Sequence, residues 1–323
     1  MKKIIFKSSI LLSIGIASFI IYLSAIGVET NKFNSLIKKK SNEVNKYIKL
    51  DFNKTKIYLN VREFNLTVKL QKPIILIKKN KINLSRLDLF IPIKSFLNSD
   101  FLLERVELVF FKNDIKDLAK ITNIFLPSII NKKLNKIFSE GILEGEFIIP
   151  FDKDGKIGKN YGFSGKASNA LINLNKDFVI KNLTTYITHS KNSESNTFNI
   201  VIEEGVIDNI KLAKSKINVI RKKNETEVKS QINTSGRVNF KKIKKISSLF
   251  KFDFKGFKNI DALIDLNTNI NFNINDNLNI KDLSYSVEGS IPYIEILHKD
   301  IATIKNYLPD YNSKLVLKNS DIK

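Results

Sequence analysis

From Leu266 to Ile280 the chain reads LNTNINFNINDNLNI, with Leu, Thr, Ile, Phe, Ile, Asp, Leu and Ile on the even positions and asparagine on every odd one. Successive side chains of an extended strand point to opposite faces, so this stretch has one largely apolar face and one amide face. A helix would scatter the same residues around its circumference. The segment is therefore β, and Asn275-Asp276-Asn277 is a turn that divides it into a hairpin.

The same period of two recurs along the chain. It runs through Ile57, Leu59 and Val61, through Phe64, Leu66, Val68 and Leu70, and through Leu87, Leu89, Ile91 and Ile93. It returns at Val106, Leu108 and Phe110, at Ala170, Ile172 and Leu174, and at Phe198, Ile200 and Ile202. Short alternating segments joined by polar turns describe an antiparallel meander. VIKNLTTYI at Val179–Ile187 echoes NIKDLSYSV at Asn279–Val287, which suggests a unit laid down more than once.

Helical spacing is confined to a few places. Lys32–Lys49 places Phe33, Leu36, Ile37, Val44 and Ile48 on one face. Ile115, Leu118 and Ile121 predict a helix capped by Asn113 or Asp114, and IINKKLNKIFSEG predicts a second helix ending near Gly141. KKIKKISSLFKFDFKGF is basic and amphipathic, either a connector helix packed on the sheet or a segment touching a membrane surface. DKDG at Asp152–Gly155 reads as a tight turn, because an EF-hand would need an acid where Phe163 stands.

MKKIIFK precedes an uncharged run, Ser8–Val28, whose 21 residues as a helix would span about 30 Å, the thickness of a bilayer's hydrocarbon core. An uncleaved anchor is the expectation. The rival is a cleavable signal, for which Ala25-Ile26-Gly27 would serve as a cleavage site. Lys2, Lys3 and Lys7 are balanced by Lys32, Lys38, Lys39 and Lys40, so orientation rests on length: the short tail stays inside and the long body is translocated.

The formal net charge of +22 raises the question of nucleic acid. Arginine, the bidentate phosphate reader, occurs only at positions 62, 86, 105, 221 and 237, and the lysines are spread rather than gathered. No nucleic-acid partner is expected. With no cysteine there is no disulfide or thiolate site, and His189 and His298 are expected to be ordinary strand or loop residues. The adjacent acids Glu203 and Glu204 would point to opposite faces of a strand, and no Ser/His/Asp arrangement or phosphate-binding glycine loop stands out. Neither enzymatic activity nor a cofactor or metal is expected.

The N-terminal hydrophobic segment, NKFNSLIKKKSNEVNKYIKLDF, KINLSRLDLFIPIKSFL and GFKNIDALIDLNTNINFNI together resemble the AsmA-like proteins, relatives of TamB, over nearly the whole chain. The resemblance implies a mainly β fold with a few helices: an N-terminal transmembrane helix, then a long antiparallel sheet curled into an open apolar groove. The corresponding organisation is a cytoplasmic tail (1–7), an anchor (8–28), an N-terminal helix and β-meander (29–112), a helical insertion (113–140) and a repeated β-groove (141–323). The chain stops at SKLVLKNSDIK, within another alternating strand, so a short member or an incomplete gene is expected.

The implied function is that of a single-pass protein of the bacterial inner membrane, N-terminus cytoplasmic and bulk periplasmic. It would hold phospholipid acyl chains and pass them along the groove, contributing to outer-membrane biogenesis or maintenance. Its partners would be those acyl chains, the inner membrane and other envelope proteins. The candidate groove residues are Leu59, Val61, Leu66, Val68, Leu89, Ile91, Ile172, Leu174, Ile200, Ile202, Leu266, Ile270, Phe272, Ile274, Leu278 and Ile280. Alternation alone fits a sandwich or an outward-facing barrel as well. A tethered assembly adaptor that carries no lipid is the alternative function.

Overall fold

The computed structural model describes residues 2–44, 48–77, 80–97, 102–122, 136–156, 158, 160–174, 178–192, 194–250, 256–276, 279–299, 306–307 and 310–322. The chain is mainly β, with a few helices and one large antiparallel sheet that is not closed. It divides into two compact units. Unit 1 comprises Met1–Phe125, Leu143–Gly165 and Ser190–Ser193; unit 2 comprises Leu126–Ile142, Lys166–His189 and Glu194–Lys323.

Unit 1 begins with α1 (Lys2–Ala25) and passes through Ile26 and Gly27 into β1 (Val28–Thr30). The Gly27 N–H bonds the Tyr22 carbonyl at 3.1 Å, and its φ of +72° suits a glycine closing a helix. A Cβ there would lie 2.7 Å from the Ile57 carbonyl oxygen. The helix thus stops at Ala25, three residues short of the expected limit at Val28, because Val28 pairs with Ile57 in the sheet. Among the described residues no helix is long and apolar enough to cross a membrane. The described aliphatic side chains of α1 lie largely in the open, Leu11 at 76 % exposure and Ile21 at 67 %.

After α2 (Asn34–Val44) come β2 (Ile48–Asp51), β3 (Lys54–Asn60), β4 (Asn65–Gln71), β5 (Ile74–Ile77) and β6 (Asn80–Pro92). Then follow α3 (Ile93–Leu97), β7 (Arg105–Asp114) and α4 (Ile115–Thr122). Ile48, expected on the helix, instead opens β2 opposite Ile77. The order β1-β3-β4-β6-β7 forms the sheet, while the first part of β6 pairs with β5, which pairs with β2. Asp114 caps α4, its carboxylate accepting the N–H of Lys116 at 2.7 Å and of Asp117 at 3.3 Å. Asn113, the other expected cap, clamps Asn83 through two backbone hydrogen bonds instead.

Strands β8 (Phe138–Pro150) and β9 (Gly162–Asn173) contribute residues to both units. Of the expected second helix, residues 129–135 lie outside the described residues. Phe138–Gly141 are strand rather than helix, and the Ser139 hydroxyl donates to the Leu171 carbonyl of β9 at 3.2 Å. Asp152 makes the expected turn, its carboxylate accepting the N–H groups of Asp154 and Lys156.

Unit 2 continues with β10 (Val179–Lys191), β11 (Asn196–Ile207), β12 (Ile210–Arg221), β13 (Glu225–Asn239), α5 (Phe240–Phe250), β14 (Phe257–Asn275), β15 (Ile280–His298) and β16 (Lys314–Ile322). From β11 to β16 each strand pairs with its successor. Helix α5 is capped by the Asn239 side chain and packs against β13 and β14. Lys242 bonds the Asp208 carbonyl and Lys245 pairs with the Asp208 carboxylate at 3.7 Å. These contacts make α5 a sheet-packed connector.

A β-bulge inserts an extra residue into one strand, so odd positions face a given side before it and even positions after it. On β15, Tyr293 faces Leu263 but Ser290 faces Asp265, so three residues of β15 oppose two of β14. The bulge holds Pro292, which has no ladder N–H to lose; Gly289, with φ +148°, pairs with Leu266 just beside it. Below it the apolar face of β15 carries odd positions, Tyr285 and Val287; above it, even ones, Ile294 and Ile296. The sequence echo has the same basis. Asn182 and Asp282 hold equivalent places and both adopt left-handed backbone, φ 51° and 52°, which Asn and Asp tolerate better than other non-glycine residues.

Candidate functional site

In unit 1 the apolar residues of four strands line up directly opposite one another. Leu59 faces Leu66, which faces Ile91; Ile57 faces Val68, then Leu89, then Val106. Residues opposite one another share a face, so Leu59, Leu66, Val68, Leu89 and Ile91 stand together as expected. Val61 does not join them. The strand ends at Asn60, and Val61 sits in the turn to β4, 48 % exposed. Phe64 ends that turn with φ 52° and is also exposed, so its place in the alternation is not a strand position.

This apolar face is partly roofed. Val68, Leu70, Leu87, Leu89 and Ile91 belong to a buried cluster with Ile37 of α2, Phe52 and Ile77, against which Phe33, Leu50 and Ile75 pack. Polar contacts hold the roof down. The Thr55 hydroxyl, fully buried, donates to the Asn34 side-chain carbonyl at 2.7 Å, and Lys38 bonds Asp51 at 2.7 Å. The bond to Lys38 holds the Asp51 carboxyl below its usual range. Between roof and sheet lies a cleft of about 480 Å³. Its floor includes Ile57, Leu66, Val68, Leu89, Ile91 and Val106, its roof Phe33, Leu36, Ile37, Leu50 and Ile75, and Leu102, Leu103 and Phe151 also line it. Ser41 and Glu43, near the end of α2, are its polar lining residues.

The opposite face of the same strands is charged. Lys56, Lys69, Asp88 and Glu107 form a row across β3, β4, β6 and β7. Arg86 reaches Asp88, Glu107 and Glu146, and Arg105 stacks 3.7 Å over the Phe90 ring while bonding Glu107 and Glu63 at 2.9 Å. Burial pushes the Asp88 carboxyl up, against the opposing pull of Lys69 and Arg86. Bonds from Asn65 and Arg105 hold Glu63 down. These groups close on one another as cross-strand pairs. They do not converge on a cleft, and among the described residues no cluster of His, Asp or Glu could hold a metal ion. His189 lies tilted against Phe198, ring centroids 4.3 Å apart, and His298 bonds the Tyr311 hydroxyl.

Unit 2 repeats the two-faced arrangement. Phe198 faces Val219, which faces Val228, which faces Phe272; Ile270 faces Tyr285 and Ile274 faces Ile280. Ile200, Leu266, Ile270, Phe272, Ile274 and Ile280 therefore share the apolar face. Ile200, Leu266, Ile270, Phe272 and Ile274 are only half-buried, while Ile280 and Tyr285 are 60 % and 69 % exposed. Ile202 lies opposite Ser215 and is buried. Toward the other end of the face, Ile210, Leu212, Val238, Ile260, Ala262 and the α5 residue Phe240 are buried. Ile172 lies on β9, half-buried, whereas Leu174 is past the strand end, its N–H donating to the Phe178 carbonyl and its side chain 57 % exposed. Leu278 lies outside the described residues.

The asparagines fill the reverse face, where they bond across strands. Asn218 bonds Asn199, Asn273 reaches Asp282 at 3.1 Å, and Asn269 reaches Ser286 at 3.4 Å. The ladder thus keeps one face wet and leaves its apolar partner to find other cover. Cleft residues absent from the expected set include Phe33, Leu36, Ile37, Leu50, Ile57, Ile75, Leu102, Leu103, Val106 and Phe151; the amphipathic stripe of α2 was the one available signal, and only for Phe33, Leu36 and Ile37. Compared with protein families, curated proteins and solved structures, the chain matches none.

Proposed function

We propose that this chain is an AsmA-like protein anchored in the bacterial inner membrane, which holds phospholipids by their acyl chains and passes them along the apolar face of its sheet. The observation that carries the reading is the half-exposed apolar face of β11–β15, backed by a face of hydrogen-bonded asparagines and serines. Each methylene taken from water onto such a face contributes about 0.8 kcal/mol, so a full acyl chain is a strong ligand without any polar contact. Curling of the sheet into a groove belongs to the same proposal, as does burial of the open aliphatic surface of α1 in the bilayer with the body in the periplasm. Movement along the face is passive, driven by lipid supply and demand at its ends.

Lipid extraction and native mass spectrometry of the purified full chain test this directly, with co-purified phospholipid as the expected result. A photocrosslinker placed at Phe272 or Ile274 should capture lipid. Protein adducts with no lipid would favour the second reading, an anchored adaptor. One feature supports that rival: among the described residues β16 pairs with β15 alone and exposes Leu315, Val316 and Leu317, an apolar strand suited to receive a partner strand.

A further inference from the structure

The arginines of unit 1 are not used alike. Arg86 and Arg105 are ion-paired across strands, whereas Arg62, in the turn between β3 and β4, is exposed and has no partner among the described residues. Val61 and Phe64 flank that turn, 48 % and 71 % exposed, and Phe64 holds a left-handed φ of 52° that a phenylalanine rarely adopts. The turn is nonetheless fixed. The Asn60 side-chain carbonyl accepts the Glu63 N–H at 3.2 Å, and the Phe64 carbonyl accepts the Ile93 N–H at the start of α3 at 3.1 Å. A strained, exposed aromatic beside an unpaired guanidinium, on a turn held this firmly, points to a contact outside the fold.

Register shows where the turn lies. β1 runs antiparallel to β3, with Val28 opposite Ile57 and Thr30 opposite Thr55, so the chain reaches the sheet from the end at which β3 finishes. α1 packs against β3, and Gly27 abuts the Tyr58 ring. At about 3.3 Å per residue, Val61 lies roughly 13 Å past the Val28–Ile57 rung, on the side from which α1 arrives.

We propose that turn 61–64 is a membrane-contacting site: Val61 and Phe64 enter the interface of the leaflet nearest the body, and the Arg62 guanidinium bonds lipid phosphate. The inference rests on the placement of α1 in the bilayer and not on the passage of lipid. An aromatic ring suits the boundary between hydrocarbon and water, and a guanidinium pairs two phosphate oxygens in a fork. Glu63 and Glu104, acids at this end of the sheet, are both spent on Asn65 and Arg105. Lys94, exposed on α3, adds a second cation. The rung Leu59–Leu66–Ile91 is the last of the apolar face before the turn, so the contact also brings that face to the lipid.

The chain has no tryptophan, so Phe64→Trp introduces a single fluorescent reporter. The full chain is reconstituted in phosphatidylethanolamine–phosphatidylglycerol vesicles whose acyl chains are brominated near the head group, and quenching by bromine is compared with quenching by aqueous iodide. Leu11→Trp in α1 reports insertion of the helix, and Phe111→Trp, at the other end of β7, reports solvent. All of these positions and Arg62 are exposed, so the substitutions leave the packed sheet alone. Phe64→Trp should be quenched by bromolipid several-fold more than Phe111→Trp and shielded from iodide. Adding Arg62→Glu should lower that bromolipid quenching several-fold, while Leu11→Trp keeps its own. Phe64→Trp as open to iodide as Phe111→Trp, beside a lipid-quenched Leu11→Trp, would overturn the inference and spare the anchor. Leu11→Trp untouched by bromolipid would overturn both. Lipid quenching of Phe64→Trp that ignores Arg62→Glu would overturn the phosphate contact.

Discussion

Replacing Gly289 by alanine tests the idea that bulges keep the apolar side chains in phase. A Cβ at Gly289 would lie 2.2 Å from the Asp265 carbonyl oxygen, 2.9 Å from the Leu266 Cα and 3.1 Å from the Asp265 carbonyl carbon. All three are backbone atoms of the neighbouring strand, so no side chain can swing aside. The φ of +148° adds strain of about 1–3 kcal/mol for any residue but glycine. Moving β15 away far enough to relieve the contact weakens the flanking ladder hydrogen bonds, each worth about 1 kcal/mol. The expected loss is about 3–5 kcal/mol, or a fall in the unfolding midpoint of very roughly 6–20 °C for a cooperative unit of this size. Urea and thermal unfolding of the full chain would measure it, with Gly256→Ala as control, because an added Cβ there meets nothing within 4 Å. Hydrogen exchange along β15 would show whether the damage begins at the bulge. A loss within about 1 kcal/mol of the control would refute the reasoning, since it would mean the strand can shift phase freely.

Other expectations follow from the same geometry. Asn182→Val should cost about 1–2 kcal/mol in urea unfolding, whereas Asn182→Gly should cost nothing, because the position requires left-handed backbone. Asp88→Asn should raise the melting midpoint at pH 7: burial lifts the folded pKa of this carboxyl, so its charged form opposes folding above that pKa. The gain should shrink as the pH falls through the raised folded pKa and be gone once the pH lies below the unfolded one as well. Tyr293→Phe should flatten the loss of stability in acid. The tyrosine hydroxyl and then Lys314 hold Glu295 below its usual range, so that contribution is complete above the unfolded carboxylate pKa and is lost as the pH drops through the lower folded one.

The strand content was legible because a period of two over many residues has no other solution. Leu66 opposite Ile91, or Phe272 sharing a face with Val228, follows from alternation once the strands are paired. Alternation does not stop where a strand stops, which is why Val61 and Leu174 keep the rhythm although they lie past their strand ends. The bulges were invisible for a related reason: a phase reset on β15 looks, in one dimension, like a change of pattern between Val287 and Ile294. The Asn/Asp echo at Asn182 and Asp282 was visible, but its cause, a left-handed backbone, was not. The cleft escaped because its roof comes from α2 and the β2–β5 pair, and local sequence does not say which apolar stripe meets which.

Two residues, Ile26 and Gly27, separate the last turn of α1 from the first rung of the sheet. Gly27 is bonded back to Tyr22, and Val28 is already paired with Ile57. Unit 1 is consequently mounted on its N-terminal helix like a blade on a shaft rather than hung from a string. Any inclination imposed on α1 is transmitted to β3, and lengthening this joint with a flexible spacer would let the blade swing while leaving every strand intact.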